Sequence, residues 1–128
     1  MDKQLEENKR VVSEWHELAI NQCKPEEAVA KYLGPHYRQH NPGAGDGPEP
    51  FIQAVKRIAQ KFPDYRMESK RIIAEGDFVA LHSHLILKPG DRGTAVVDIF
   101  RLENGKIVEH WDVMQEVPET SANNNTMF

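Results

Sequence analysis

The dipeptide Asn104-Gly105, set between two apolar-rich runs, constrains this chain more than any other feature. Asn-Gly suits the positive φ angles of the tight turns whose twist matches that of paired strands, so the stretch from Thr94 to Gln115 is expected to form a β-hairpin. Its arms carry Asp98, His110 and Asp112, charged and titratable groups where a sheet normally presents core side chains. Alternation puts Val108, His110, Asp112 and Met114 on one face of the second arm, and Ile107, Glu109, Trp111 and Val113 on the other. Two registers are open for the first arm. A two-residue type I′ loop sets Val97 and Ile99 beside Asp112 and His110, whereas a three-residue loop with Gly105 in a bulge brings Val96, Asp98 and Phe100 onto that face. We favour the bulged register, because it gathers Asp98, His110 and Asp112 into one polar cluster instead of scattering charge over both faces.

Upstream of the hairpin the period of the apolar residues is helical. Val11, Val12, Trp15, Leu18 and Ala19 recur on one face between Leu5 and about Asn21, an amphipathic helix. Pro25, followed by Glu26 and Glu27, opens a short second helix that Gly34-Pro35 ends. The segment from His36 to Pro50, rich in Gly and Pro, is read as a loop. A third helix follows from about Pro48 to Lys61, with Phe51, Ile52, Val55 and Ile58 in its stripe, and Pro63 stops it. The period then changes to two. Strands are expected at about Tyr65 to Ala74, Phe78 to Leu87, Thr94 to Leu102 and Ile107 to Gln115, joined by short connections into an antiparallel meander. Helices first and strands after is the pattern of a single α+β domain over residues 1–128, with helices on one face of a curved antiparallel sheet and a polar tail at about 117–128. Val79, Leu81, Leu85 and Leu87 are too apolar for water, so a homodimer packed through the sheet face is expected. Met127 and Phe128, ending a polar tail, are expected to dock in a groove, either of the same chain or of a partner subunit.

At 128 residues the chain can bury a sizeable core without staples. Its single cysteine, Cys23, rules out an internal disulfide and a cysteine-based zinc site, and is compatible with a reducing compartment. A net charge of -4 with dispersed basic residues gives no footprint for nucleic acid. The charged N-terminus lacks an apolar signal core, and no apolar run approaches the ~20 residues of a membrane span, so no membrane partner and a cytoplasmic location are expected.

Helices followed by a bent sheet, with Tyr-x-Gln-His-Asn-Pro at Tyr37 to Pro42, Val-Asp-Ile-Phe-Arg at Val97 to Arg101 and Gly-Lys-Ile-Val-Glu-His-Trp-Asp at Gly105 to Asp112, resemble the SnoaL-like polyketide cyclase family of the nuclear transport factor 2-like superfamily. The resemblance covers essentially the whole chain. It extends to the bacterial branch described as predicted SnoaL-like aldol-condensation enzymes, whose sequences tend to end in a tail like Asn124 to Phe128. The fold implied is a cone-shaped α+β structure. The chemistry implied needs neither metal nor organic cofactor: a carboxylate acts as acid/base with histidine help inside the cone. That role carries over onto Asp112, with His110 and His40 as the histidine candidates.

Aldol closure needs a base that removes a proton α to a carbonyl and a donor that stabilises the enolate oxygen, and a carboxylate with an imidazole in an apolar cavity can supply both. Asp98 needs a partner, because a charge left unpaired within an apolar run is costly. Tyr37 and Asn41 join His40 as donors and acceptors for a cavity mouth, and Phe100, Trp15 and Met114 are candidates for its apolar wall. His82 and His84 share a strand face with Phe78, Ala80 and Ile86. They are candidates for substrate contact, against the plainer reading of hydrogen-bonded core or interface histidines. A His-x-His metal site of the cupin type is the weaker alternative, since Lys88 and Pro89 stand where its carboxylate is expected. The function expected is a cofactor-independent lyase or isomerase acting on a small or polyketide-like carbonyl compound. The alternative is a non-catalytic small-molecule-binding or dimerisation module on the same cone. Convergence of the polar groups decides between them.

Overall fold

The computed structural model describes residues 2–128 and has the expected α+β order, with one strand more than the sequence suggests. Helix α1 (Lys3–His16) is capped by Asp2, whose side chain accepts from the Gln4 N–H. It passes into a π-helical turn, Glu17–Asn21, and helix α2 (Pro25–Tyr32) follows with proline in its first turn. The chain then forms strand β1 (Leu33–Gln39), helix α3 (Pro48–Lys61) and four further strands: β2 (Arg66–Glu75), β3 (Phe78–Ile86), β4 (Thr94–Glu103) and β5 (Lys106–Glu116).

Strand β1 is the main departure from the expected plan. Its sequence, interrupted by Gly34-Pro35, carries loop signals, yet it pairs in parallel with β5 and makes the sheet mixed, in the order β1-β5-β4-β3-β2. Gly34 is required by that pairing: a Cβ there would lie 2.8 Å from Cγ1 of Val108. Proline is tolerated because β1 is an edge strand. The opposite edge is also managed. Asn21, in the π-helical turn, donates to the Met67 carbonyl and accepts from the Met67 N–H at 2.9 and 2.8 Å, completing the ladder of β2 with a side chain.

The hairpin resolves in a way neither register foresaw. Asn104 and Gly105 have φ of 52° and 74°, a two-residue turn flanked by the pairs Glu103–Lys106 and Leu102–Ile107. Val108 is then an extra residue, because Arg101 pairs with Glu109. The bulge thus lies inside β5 and not at the turn. Its effect is the one expected of the bulged register: Val96, Asp98 and Phe100 stand opposite Met114, Asp112 and His110.

All three helices cover one face of the sheet. Val12, Trp15, Ala19 and Ala28 from the helices pack on Val79, Leu81, Phe100, Leu102 and Ile107, each nearly or fully inaccessible. Val79 and Leu81 are therefore core, which removes the original ground for a dimer. The apolar surface left uncovered lies on the other face, where Ile73, Phe78, Ala80, Val97, Ile99, Trp111 and Val113 line a groove. The tail crosses that outer face and docks on its own sheet, with the Phe128 ring 4.0 Å from the His84 ring and Lys70 Nζ 5.7 Å from the Phe128 centroid. No helix among the described residues is long and apolar enough to cross a membrane.

Candidate active site

Between the helices and the inner face of the sheet lies a cavity of about 240 Å³. Trp15 and Phe51, stacked at 4.8 Å, join α1 to α3 along its wall, with Ile20, Val55, Ile58, Leu85 and Val96 completing an apolar lining. The polar groups gather at the β4–β5 side. Asp98, His110 and Asp112 lie there because the bulge at Val108 sets their strands in phase, and Phe100 and Met114 flank them.

Strand β1 and its continuation supply further polar groups by alternation. Tyr37, Gln39 and Asn41 face the cavity, whereas Arg38 and His40 do not. Asn41 Nδ2 donates to both oxygens of Asp112 at 2.9 Å, fixing the carboxylate. Gln39 Oε1 accepts from the Asn41 backbone N–H at 3.0 Å and lies 2.8 Å from His110 Nδ1, while Gln39 Nε2 faces the Tyr37 hydroxyl at 3.4 Å. This bonding assigns the amide orientation of Gln39, so His110 Nδ1 must be the donor to it. His110 Nε2 then meets Asp98 Oδ1 at 2.8 Å, and that bond requires one more proton shared between an imidazole and a carboxylate. The second carboxylate is close by: His110 Nε2 lies 4.0 Å from Asp112 Oδ2. Burial, with the charges of Asp98 and Asp112 in support, pushes the Tyr37 phenol far above the usual tyrosine range, so its O–H stays available as a donor.

Three expected site residues lie elsewhere. His40 is on the outer face, stacked on Trp111 at 4.6 Å with Nε2 2.7 Å from Glu109 Oε2. Its expected place in the cavity mouth rested on reading the segment as a loop; as an extension of β1, bonded through its N–H to the His110 carbonyl, it alternates outward. His82 and His84 are also on the outer face, because Val79, Leu81 and Ser83 take the inward positions of β3. There His82 contacts the Arg71 guanidinium, and His84 Nε2 donates to the Arg92 carbonyl at 2.7 Å. The polar residues Gln39, His16 and Tyr65, absent from the expected site, also line the cavity. His16 closes the apolar stripe of α1 one residue after Trp15, and that adjacency was the only signal in the sequence. Ligand atoms of Asp98, His110 and Asp112 lie within 4.8 Å of one another and could also hold a metal ion. Doing so would mean expelling the Asp98–His110 proton and competing with Asn41 for Asp112.

Known proteins match this arrangement at the level of fold. Among proteins of curated function, none matches the sequence significantly. Similar solved structures include TsrD from Streptomyces laurentii, 25% identical over 89% of this chain and 90% of that one with a TM-score of 0.71. A protein of Bacillus cereus provisionally described as a polyketide cyclase is 19% identical over 84% and 74%, with a TM-score of 0.72. One from Kribbella flavida, provisionally described as a ketosteroid isomerase, is 21% identical over 93% and 85%, with a TM-score of 0.70. The SnoaL-like domain matches residues 6–110, the greater part of the chain, and with the cone of helices and mixed sheet around a polar-ended cavity this makes the protein a member of the SnoaL-like family of the nuclear transport factor 2-like superfamily.

Proposed function

We propose that this protein is a cofactor-independent enzyme that performs aldol-type cyclisation or isomerisation of a small carbonyl compound by acid/base chemistry in the cavity. The observation that carries the reading is convergence: two carboxylates, an imidazole and a phenol meet within one apolar-walled space. In this reading Asp112, held by Asn41, is the base. It takes the proton from the carbon α to the carbonyl, and the C–H electrons become the enolate π bond. The oxygen that gains charge is met by the Tyr37 O–H and by the proton held between His110 and Asp98. In an isomerisation the proton on Asp112 returns to a different carbon. In an aldol closure the enolate carbon bonds to a second carbonyl carbon of the same molecule, and the resulting alkoxide takes the proton. Each balances on the groups present.

The test is hydrogen–deuterium exchange at the α-carbon of a simple ketone, followed by NMR, which needs no knowledge of the natural substrate. Asp112→Asn is expected to slow enzyme-dependent exchange roughly 10²–10⁴-fold, with a small change in Tm. Exchange equal in wild type and variant, with the ketone demonstrably bound, would leave only a binding module.

We also propose that a second copy covers the outer face, which is apolar from Ile73 across Ile99 to Val113 and lies beside the strip occupied by the tail. Light scattering at micromolar concentration is expected to give twice the chain mass, and Val113→Glu to give one. A wild-type monomer would remove the proposal.

A further inference from the structure

We propose that the cavity takes a small, uncharged oxo compound and that His16, outside the acid/base constellation, receives one of its oxygens. This builds on the reading of the cavity as a carbonyl site, but it concerns binding and not turnover.

Charge is the first observation. No lysine or arginine lines the cavity, whereas Asp98 and Asp112 both do. A phosphate, a carboxylate or a thioester on an anionic carrier would bring negative charge into a desolvated space that already holds two carboxylates and no fixed cation to meet it. Size is the second. The cavity of about 240 Å³ has room for a molecule of one or two rings.

The third observation is His16 itself. It is 4% exposed, it forms part of the cavity wall, and its Nε2 has no hydrogen-bond partner among the described residues. Unpaired buried polar atoms are rare because each lowers stability, and one kept beside a cavity points to a partner that arrives with the ligand. Its position fits that use. His16 ends α1 where the backbone widens into the π-helical turn, a distortion often found at functional sites. Burial pushes its pKa down, against the opposing pull of Asp98 and Glu17, so the ring is neutral. A neutral imidazole presents an N–H to a carbonyl or hydroxyl oxygen without forming an ion pair with the carboxylates nearby.

The experiment measures binding of three two-ring probes to the full chain by calorimetry: α-tetralone, a ketone; tetralin, its frame without oxygen; and α-naphthoate, an anion. Wild type is expected to bind α-tetralone at least tenfold more tightly than α-naphthoate. His16→Phe is expected to weaken α-tetralone roughly tenfold, the scale of one hydrogen bond, and to leave tetralin unchanged. Its Tm should hold or rise, because an unpaired nitrogen has been removed, and His16→Gln, which restores an N–H donor, should recover the affinity for α-tetralone. An equal effect of His16→Phe on α-tetralone and tetralin would reduce His16 to shape and overturn the proposal. So would α-naphthoate binding as tightly as α-tetralone, or no probe binding at millimolar concentration. These readouts separate the two proposals. A protein that discriminates the probes in this way but exchanges no protons loses only its catalytic assignment, and an active protein indifferent to His16 loses only this inference.

Discussion

The two faces of strand β5 carry the same chemical pair in different settings. On the inner face His110 meets Asp98 at 2.8 Å, with both side chains 10% exposed. On the outer face His40 meets Glu109 at 2.7 Å, with the histidine 34% exposed and Arg101 bonded to the same carboxylate. The outer pair is a branch of a surface network in which the His40 bond, and then Arg101, holds the Glu109 carboxyl below the usual range. Water and salt screen it, and a ring stacked on Trp111 adds packing. The inner pair has no such screening, and a second carboxylate, Asp112, stands beside it 4.0 Å from His110 Nε2. Near-equal distances therefore mean different things: one pair ties down the sheet surface, and the other forms part of the cavity wall.

Removing one partner from each pair is the strongest way to break this comparison. His110→Ala leaves Asp98 buried without its imidazole and is expected to cost about 3–5 kcal/mol, a fall in Tm of roughly 10–20 °C. His40→Ala is expected to cost about 1 kcal/mol or less. Equal losses in thermal unfolding would erase the distinction between the faces.

Acid separates the faces more finely. The folded pKa of His16 lies below its unfolded value of 6.5, because burial disfavours the charged ring. Unfolding therefore takes up a proton: the contribution is fully present above pH 6.5 and is lost as pH falls through the folded pKa. Glu109 is also depressed, from 4.5, so its contribution is present above that value and is lost only at lower pH. Wild-type Tm is expected to decline in two stages, the first beginning near pH 6.5 and absent from His16→Phe, the second beginning near 4.5 and reduced in Glu109→Gln. A first stage that survives in His16→Phe would show that the inner face does not exclude charge in this way.

What the sequence determined by itself follows from local periodicity. The helices and the four later strands are legible because their apolar residues repeat at 3.6 or 2, and Asn104-Gly105 marks its turn through backbone preference alone. The candidates Asp98, His110 and Asp112 could be named because charge inside apolar strands demands a partner. Tertiary structure decided the rest. Strand β1 was hidden because Gly34-Pro35 reads as a stop, and only the close approach of Val108 shows why glycine is needed there. Its discovery moved His40 outward and brought Gln39 inward, since a side chain's face depends on whether its segment alternates. The facing of His82 and His84 was undetermined for a related reason. Alternation says which residues share a face, but which face lies under the helices depends on contacts between elements far apart in sequence. The register of the hairpin shows the same limit: the turn is a local property, but the bulge that aligns Asp98 with Asp112 lies within β5, on the strand that β1 pairs with from the other side.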